Sequence, residues 1–443
     1  MFCRPRRARS AVVFWFILGL SGGWARAQPP TPPVGGSAIF LHPDGAATAL
    51  WMGLRFLDHG PDGQTQWDRL PHVAVYDGRN RDTLTSSSNG GATIHAYGVR
   101  VHSSSFGNDA GQPIAALSGF DGSLMHEAIA AGKAAGIVNS AAVTEPGTGA
   151  FLARAPSRKH TQDIARQIAA SGAQVILGGG EEDFLPKGAK GRHGPGQRDD
   201  QRDLVAEMRA QGYTVVYTRA ELLAVDPAKT PRLLGLFAAA DTYNEYSEEQ
   251  LQRAGLPPYQ PQAPTAGEMV RAALAILGRH PAGFLLVMNE EGTDDFSGEN
   301  NAAAVFEAAR RTDAAIGAAR EFITHRTDTL LVVTSDSAAS GMQILAKDGE
   351  ELKAGDVLPP VEENGAPVDG AHGTGSEPFL SAPDASGARH PFYVAWAARN
   401  DGSGNIVARA EGRHAEQVRG NVDNIGIYRL LYHALFGRSP RPD

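Results

Sequence analysis

Three short apolar runs in this sequence are each followed directly by acidic residues, and these acids are the first candidates for chemistry. The runs and their acids are residues 37–41 with Asp44, residues 283–288 with Glu290 and Asp294, and residues 329–333 with Asp336. Short runs of leucine and β-branched residues are typical of buried parallel strands. Open α/β sheets place their functional groups beyond the carboxyl ends of such strands. Because carboxylates gathered there would repel one another, we predict that they hold a divalent cation.

Each acid also has an ordinary structural explanation. Asp and Glu after a strand commonly cap a helix or form a turn, and for any single acid this explanation is the stronger one. Three strand ends with the same pattern favour the cation site. Glu181, Glu182 and Asp183, in contrast, are interpreted as a solvated loop.

A second candidate for chemistry is the polar stretch of residues 84–98. Several serines, including Ser88, precede Asn89 and two glycines, and a helix-compatible run follows. This order predicts a helix N-terminus whose backbone N–H groups could bind an anion. A serine there could act as a nucleophile if a metal or base activates it, and a serine-rich capping turn is the structural alternative.

The elements that must position these groups alternate between strand and helix from residue 124 onward. This alternation predicts an α/β protein with right-handed crossovers and one parallel or mixed sheet. We predict a single domain over residues 37–443, with irregular insertions near residues 186–200 and 344–388. Helices are predicted over residues 150–170 and 301–324.

The N-terminus has the pattern of a secretory signal peptide. Four arginines precede an apolar run at residues 11–20, and Ala25-Arg26-Ala27 offers a cleavage site, so residues 1–27 are predicted to be removed. Residues 28–36 are rich in proline and glycine and are predicted to form a flexible linker. The protein is therefore expected to be periplasmic or secreted.

Composition narrows the function classes further. The signal segment carries five of the 41 Lys and Arg and none of the 49 Asp and Glu, so the mature chain has a net charge of −13. This acidity argues against nucleic acid as a partner. The only cysteine, Cys3, lies in the signal segment, which excludes disulfides and thiolate ligands from the mature chain. No later run is long enough to span a membrane.

Together these stretches resemble the alkaline phosphatases over nearly the whole mature chain. Asp44-Gly45 resembles the family's metal aspartate, and residues 88–93 followed by 98–100 resemble its nucleophile segment. The resemblance implies a three-layer αβα sandwich with a mostly parallel central sheet. It also implies that Ser88 is the nucleophile, that Arg158 binds phosphate, and that Asp44, Glu290, Asp294, Asp336 and His372 are metal ligands.

The sequence departs from the family at several ligand positions. Ser337 and Gly298 stand where the family has zinc-binding histidines, and Ser87 replaces an aspartate. Asn289 stands where a glutamate belongs, so Asn289, Glu290 and Glu291 all remain candidates for that ligand. Asn89 could donate a hydrogen bond to a phosphate oxygen in place of some lost charge. His42, His95 and His102 are possible substitutes, but each is interpreted as a structural or surface histidine.

The oxygen-rich set that remains suits Mg²⁺ or Ca²⁺ better than a pair of zinc ions, although one zinc could still bind. The leading hypothesis is a metal-dependent phosphomonoester hydrolase that forms a phosphoserine intermediate on a small phosphorylated substrate. A phosphodiesterase or sulfatase-like hydrolase on the same scaffold and a non-catalytic descendant that binds metal or phosphate are the alternatives. The sequence leaves both a monomer and a homodimer open.

Overall fold

The three apolar runs lie side by side at the centre of a ten-stranded sheet in the computed structural model, which describes residue 1, residues 35–347 and residues 352–440. The strands are β1 Ser37–Pro43, β2 His72–Asp77, β3 Asn108–Asp109, β4 Gln112–Pro113, β5 Ala134–Ala142, β6 Val175–Gly179, β7 Thr214–Val216, β8 Leu233–Leu236, β9 Phe284–Glu290, β10 Thr329–Val333, β11 Ala338–Ala339, β12 Gln343–Leu345, β13 Val368–Asp369, β14 Phe379–Leu380, β15 Pro391–Ala395, β16 Asp401–Gly402, β17 Val407–Gly412 and β18 Gly420–Asp423.

The α-helices of the described residues are distributed between these strands. They are α1 Thr48–His59, α2 Ser88–Tyr97, α3 Leu124–Ala130, α4 Pro146–Gly149, α5 Thr161–Ala170, α6 Leu204–Ala210, α7 Arg219–Leu223, α8 Glu248–Ala254, α9 Ala266–Leu277, α10 Gly292–Gly298, α11 Ala302–Ile323 and α12 Asn424–Phe436.

The large sheet is mostly parallel. Its order is β18-β2-β17-β10-β1-β9-β5-β6-β8-β7, and β17 alone pairs with its neighbours in the antiparallel direction. Parallel neighbours need long crossovers, and the helices between the strands supply them. The α/β class and the mostly parallel central sheet predicted from the sequence are confirmed.

Helices cover both faces of the sheet, as the alternation of side chains along β1 shows. Ala38 and Phe40 belong to an apolar cluster that includes residues of α2, α3, α5 and α12. Ile39 and Leu41 belong to a second cluster that includes residues of α1, α9 and α11. Successive strand residues point to opposite faces, so a strand that is buried on both sides has a continuous apolar sequence. The result is the predicted three-layer αβα arrangement.

The predicted helix over residues 150–170 is wrong in its first half. Helix α5 begins only at Thr161, and the preceding residues form turns and a bridge between Ala155 and Phe106. Pro156 disfavours the helical conformation for the residue before it, so Ala155 is extended. The helix predicted at residues 301–324 is confirmed as α11.

The two insertions differ in their structure. Residues 186–200 are irregular apart from isolated bridges such as that between Pro186 and Arg198. The described part of residues 344–388 contains β13 and β14, and both pair with β15 in a separate small sheet.

The N-terminal predictions concern residues that the structure does not describe. The signal peptide over residues 1–27 and the linker over residues 28–36 lie outside the described part of the chain, apart from residues 1, 35 and 36. The described residues from 35 onward belong to one compact unit. Among the described residues we find no helix with the length and apolar character needed to cross a membrane.

Candidate functional site

The carboxyl ends of three neighbouring strands bring the predicted acids to one edge of the sheet. Strand β1 lies between β10 and β9, and Leu41 pairs with Val333 on one side and with Met288 on the other. The Asp44 N–H donates a hydrogen bond to the Glu290 carbonyl oxygen at 3.0 Å, which fixes the loop after β1 against β9. Parallel pairing in register therefore places Asp44 beside Asp336.

His42, Asp44 and Asp336 form a buried cluster at this edge. One ligand atom from each lies within 4.8 Å of the others, and the three side chains are 1 %, 0 % and 0 % exposed. The His42 Nε2 atom and both carboxylate oxygens of Asp44 and of Asp336 are buried without a hydrogen-bond partner. Buried polar atoms almost always have partners, so five such atoms in one cluster make it a candidate cation site.

The electrostatics of the cluster support the same conclusion. Burial and the charge of Asp336 raise the pKa of Asp44 well above its ordinary value, and burial raises the pKa of Asp336 to about 6. Burial lowers the pKa of His42 to about 4, so the imidazole is neutral. With a neutral imidazole, a cation is the charge that would keep both carboxylates ionised at neutral pH.

A chain of hydrogen bonds leads away from His42. Its Nδ1 lies 2.7 Å from Asn289 Oδ1, and Asn289 Nδ2 donates to Glu291 Oε2. Glu291 Oε1 lies 3.9 Å from Arg158 Nη2, and the Arg158 guanidinium also donates to Glu145. Arg158, proposed from the sequence to bind phosphate, is therefore linked to the site but is already paired with carboxylates.

Glu290 points away from this cluster. It accepts a hydrogen bond from the Tyr259 hydroxyl at 2.7 Å, in the apolar layer to which Tyr259, Leu286 and Met288 belong. Because side chains alternate along β9, Asn289 faces His42 while Glu290 faces the opposite layer. The structure thus distinguishes the three candidates left open by the sequence and does not support Glu290 as a ligand of this cluster.

Asp294 and Asp401 border the cluster from two other segments. A Cβ at Gly45 would lie 2.5 Å from Asp294 Oδ1, which is buried without a partner. Asp401 accepts a hydrogen bond from the Ser337 hydroxyl at 3.0 Å. Burial and the charges of Asp44 and Asp401 raise the pKa of Asp294 well above its ordinary value. Asp294 and Asp401 therefore add carboxylate oxygens beside the cluster.

Ser88 is the first residue of helix α2, and the first turn of this helix lies against Asp336. A Cβ at Gly91 would be 2.6 Å from Asp336 Oδ2 and 2.5 Å from Ser86 Oγ. Ser87 caps the helix by accepting a hydrogen bond from the Gly90 N–H, so its hydroxyl is already engaged. Ser88 remains 8 % exposed, and the positive end of the helix dipole favours an anion at this position.

Asn89 and His372 have different surroundings. Asn89 follows Ser88 in the first turn of α2, and its buried Oδ1 has no partner. His372, by contrast, has a side chain that is 70 % exposed and lies 3.7 Å from the Glu377 carboxylate. It is not part of the buried cluster, so we leave His372 out of the proposed ligand set.

Sequence reasoning missed two residues of the site. His42 was interpreted as structural because a lone histidine beside an apolar run gives no geometry. Asp401 was not singled out, since it follows strand β15 in an irregular segment and reaches the site by pairing of β16 with β11. The orientation of Glu290 could have been found from the sequence, because Leu286, Met288 and Glu290 alternate along β9 and therefore share one face.

The donor set fits a hard or borderline divalent cation. Carboxylate oxygens suit Mg²⁺, Ca²⁺ and Mn²⁺, while an imidazole nitrogen also suits Zn²⁺. The cluster His42, Asp44 and Asp336 would hold the ion, with Asp294 and Asp401 close by.

Comparison with known proteins agrees with this architecture. The sequence profile of the family described as "Alkaline phosphatase" matches residues 39–436. Alkaline phosphatase from Gadus morhua is 30% identical over 308 residues, which cover 62% of this chain and 62% of the relative. The chain thus spans less than two thirds of the length of that curated relative.

Two solved structures show the same fold. The alkaline phosphatase of Thermus thermophilus has a TM-score of 0.71 at 20% identity and covers 96% of each chain. That of the Antarctic bacterium TAB5 has a TM-score of 0.68 at 17% identity and covers 91% of this chain and 99% of its own. Because the family profile spans most of the sequence, this chain belongs to the alkaline phosphatase family.

Proposed function

We propose that the protein is an exported, divalent-cation-dependent phosphomonoester hydrolase that acts through Ser88. The observation that carries the proposal is the group of five unpartnered buried atoms on His42, Asp44 and Asp336, directly against the first turn of α2. Family membership supports a phosphatase-type hydrolase, and the pattern of residues 1–27 supports export.

A cation held by this cluster would supply Lewis acidity that stabilises negative charge on the serine oxygen and on the phosphoryl oxygens. The Ser88 hydroxyl loses its proton and its Oγ attacks phosphorus, the phosphorus–oxygen bond to the leaving alcohol breaks, and the alcohol takes up a proton. Water then attacks the phosphoserine, which releases phosphate and restores the serine hydroxyl. The N–H groups at the start of α2 orient the anionic substrate.

Arg158 would bind the non-bridging phosphate oxygens by exchanging partners. Its side chain is 40 % exposed and donates to Glu145, so the guanidinium can rotate away from this carboxylate and form a bidentate pair with the phosphate. Asn89 would donate its amide N–H to a third oxygen. The substrate is a small phosphorylated molecule, and the acidic surface disfavours a polyanion.

The test uses residues 28–443, stripped with a chelator and reloaded separately with Mg²⁺, Mn²⁺, Ca²⁺, Zn²⁺ or Co²⁺. We expect hydrolysis of an aryl phosphate with at least one cation, and a loss of at least 100-fold in Ser88→Ala. Ser171→Ala is the matched control, because Ser171 follows α5 and lies shortly before the start of β6, whereas the candidate site lies beyond the carboxyl ends of the strands.

Three outcomes contradict the proposal. Inactivity with every cation would favour a non-catalytic descendant that binds metal or phosphate. Faster hydrolysis of a phosphodiester or of an aryl sulfate than of the monoester would favour the related hydrolase classes. Full activity in Ser88→Ala would exclude Ser88 as the nucleophile.

A further inference from the structure

We propose that His42 is a direct ligand of the cation through its Nε2 atom, and that Asn289 is the positioning residue that fixes the required tautomer. This inference rests on the cation site of the proposed function but does not depend on the reaction. It assigns an imidazole ligand to strand β1, whereas Ser337 and Gly298 occupy the positions where the family resemblance led us to expect histidines.

The hydrogen bonds of Asn289 determine the tautomer of His42. Asn289 Nδ2 donates to Glu291 Oε2, an oxygen that can only accept when Glu291 is ionised, and the amide oxygen of Asn289 faces His42. His42 Nδ1, 2.7 Å from that oxygen, therefore carries the proton. The lone pair of the neutral imidazole is then on Nε2. Metal-binding histidines are commonly oriented in this way by an acceptor at the other ring nitrogen.

The Nε2 lone pair faces the carboxylates. Nε2 lies 3.6 Å from Asp336 Oδ1, which is too long for a hydrogen bond, and it is buried without a partner. A lone pair set against two carboxylates is repulsive unless a positive centre lies between them. An imidazolium paired with Asp336 is the rival explanation, and it would require a second proton inside a fully buried site.

His95 provides an internal comparison. It is also completely buried, and its ring centroid lies 5.4 Å from that of His42. Its Nε2, however, lies 2.7 Å from the Tyr76 hydroxyl and is therefore occupied. Its Nδ1 is also buried without a partner, but the cluster of ligand atoms found among the described residues includes His42 and not His95. Two neighbouring buried histidines thus differ in whether a ring nitrogen lies among the carboxylate oxygens.

The first experiment measures coordination rather than activity. Chelator-stripped protein is loaded with one equivalent of Cu²⁺ or Mn²⁺, and pulsed EPR detects the nitrogen modulation of a directly bound imidazole. We expect this modulation in the wild type and in His95→Gln, and its loss in His42→Gln. Calorimetric titration with the same ion should show at least a tenfold weaker affinity in His42→Gln and less than a threefold change in His95→Gln.

The positioning role of Asn289 is tested by a conservative rescue. Asn289→Ala leaves Nδ1 without its acceptor and should weaken cation binding about tenfold. Asn289→Asp still accepts from Nδ1–H, so the imidazole modulation and most of the affinity should return. Equal losses in both variants would overturn the positioning role.

The outcomes separate this inference from the proposed function. Nitrogen modulation that persists in His42→Gln, or is absent from the loaded wild type, overturns the ligand assignment. Should His42→Gln fail to fold, ¹⁵N NMR of histidine-labelled wild type with Cd²⁺ decides the matter, because coordination shifts the Nε2 resonance of one buried histidine. Imidazole coordination without phosphatase activity would leave the ligand assignment intact and refute the proposed reaction.

Discussion

Glu248 and Asp369 form a buried carboxyl pair at the start of helix α11, and this pair makes a sharp prediction about stability. Glu248 accepts a hydrogen bond from the Ala303 N–H at 3.2 Å, and Asp369 accepts one from the Ala302 N–H at 2.9 Å. The charge of Asp369 acts on Glu248, and Asp369 Oδ1 is buried without a hydrogen-bond partner. Burial and the charge of Asp369 raise the pKa of Glu248 to about 9, and burial raises that of Asp369 to about 7.

The sign of the pH dependence follows from these directions. Between the ordinary pKa of Glu248, 4.5, and its folded value of about 9, the folded protein holds a proton that the unfolded chain has released. The contribution of Glu248 to the free energy of unfolding therefore falls as pH rises through this window. One extra proton corresponds to about 1.4 kcal/mol per pH unit, and this proton is half lost at pH 9, which gives a loss of about 2 to 3 kcal/mol between pH 7 and pH 9.

Glu248→Gln removes this loss. The glutamine amide can donate to Asp369 and accept from the Ala303 N–H, so it imitates the protonated glutamic acid without titrating. We expect the variant to have nearly wild-type stability at pH 5, and its advantage over the wild type to grow by about 2 to 3 kcal/mol between pH 7 and pH 9.

Urea unfolding at pH 5, 7 and 9, with equal m-values, measures the effect. Glu249→Gln is the control of opposite sign. Although burial opposes it, hydrogen bonds from Ser247 and the backbone lower the pKa of Glu249, so that variant should lose stability, and least at low pH. A difference between Glu248→Gln and wild type that stays constant from pH 7 to pH 9 would refute the reasoning.

Three further predictions concern the candidate site. In Gly91→Ala, the added methyl group would lie 2.5 Å from Ser86 Oγ and 2.6 Å from Asp336 Oδ2, so calorimetry should show cation affinity reduced at least tenfold. At Gly298 the nearest atom to a new Cβ is 4.0 Å away, so Gly298→His should fold with a melting temperature within a few degrees of wild type and bind Zn²⁺ more tightly. A large loss of stability would show that the side chain does not fit at this position. Removal of bound cation by a chelator should lower the melting temperature, because a cation at a free concentration of 100 times its Kd adds about 2.7 kcal/mol to the free energy of unfolding. An unchanged melting curve would argue against a cation site in the folded protein.

The sequence alone determined the three central strands, the sheet class and the ends of the strands at which the acids gather. Runs such as Thr329–Val333 are apolar on both faces, and this pattern depends only on local residue order and the alternation of a strand. The prediction that Asp44 and Asp336 lie close together needed no more than the rule that parallel strands end at one edge. A helix N-terminus within residues 84–98 followed in the same way from the serines and the glycines after them, and the structure begins α2 at Ser88.

Tertiary structure decided which side chains face the site. His42 becomes a candidate ligand only because β1 and β9 pair in a register that sets Asn289 beside it. Asp401 reaches the carboxylates from more than sixty residues beyond Asp336, through the pairing of two-residue strands that carry almost no sequence signal. His372, predicted from a short sequence resemblance, lies exposed beside Glu377 instead. The local sequence determines the chemistry that a side chain can offer, but the long-range register of strands and loops determines which other side chains it contacts.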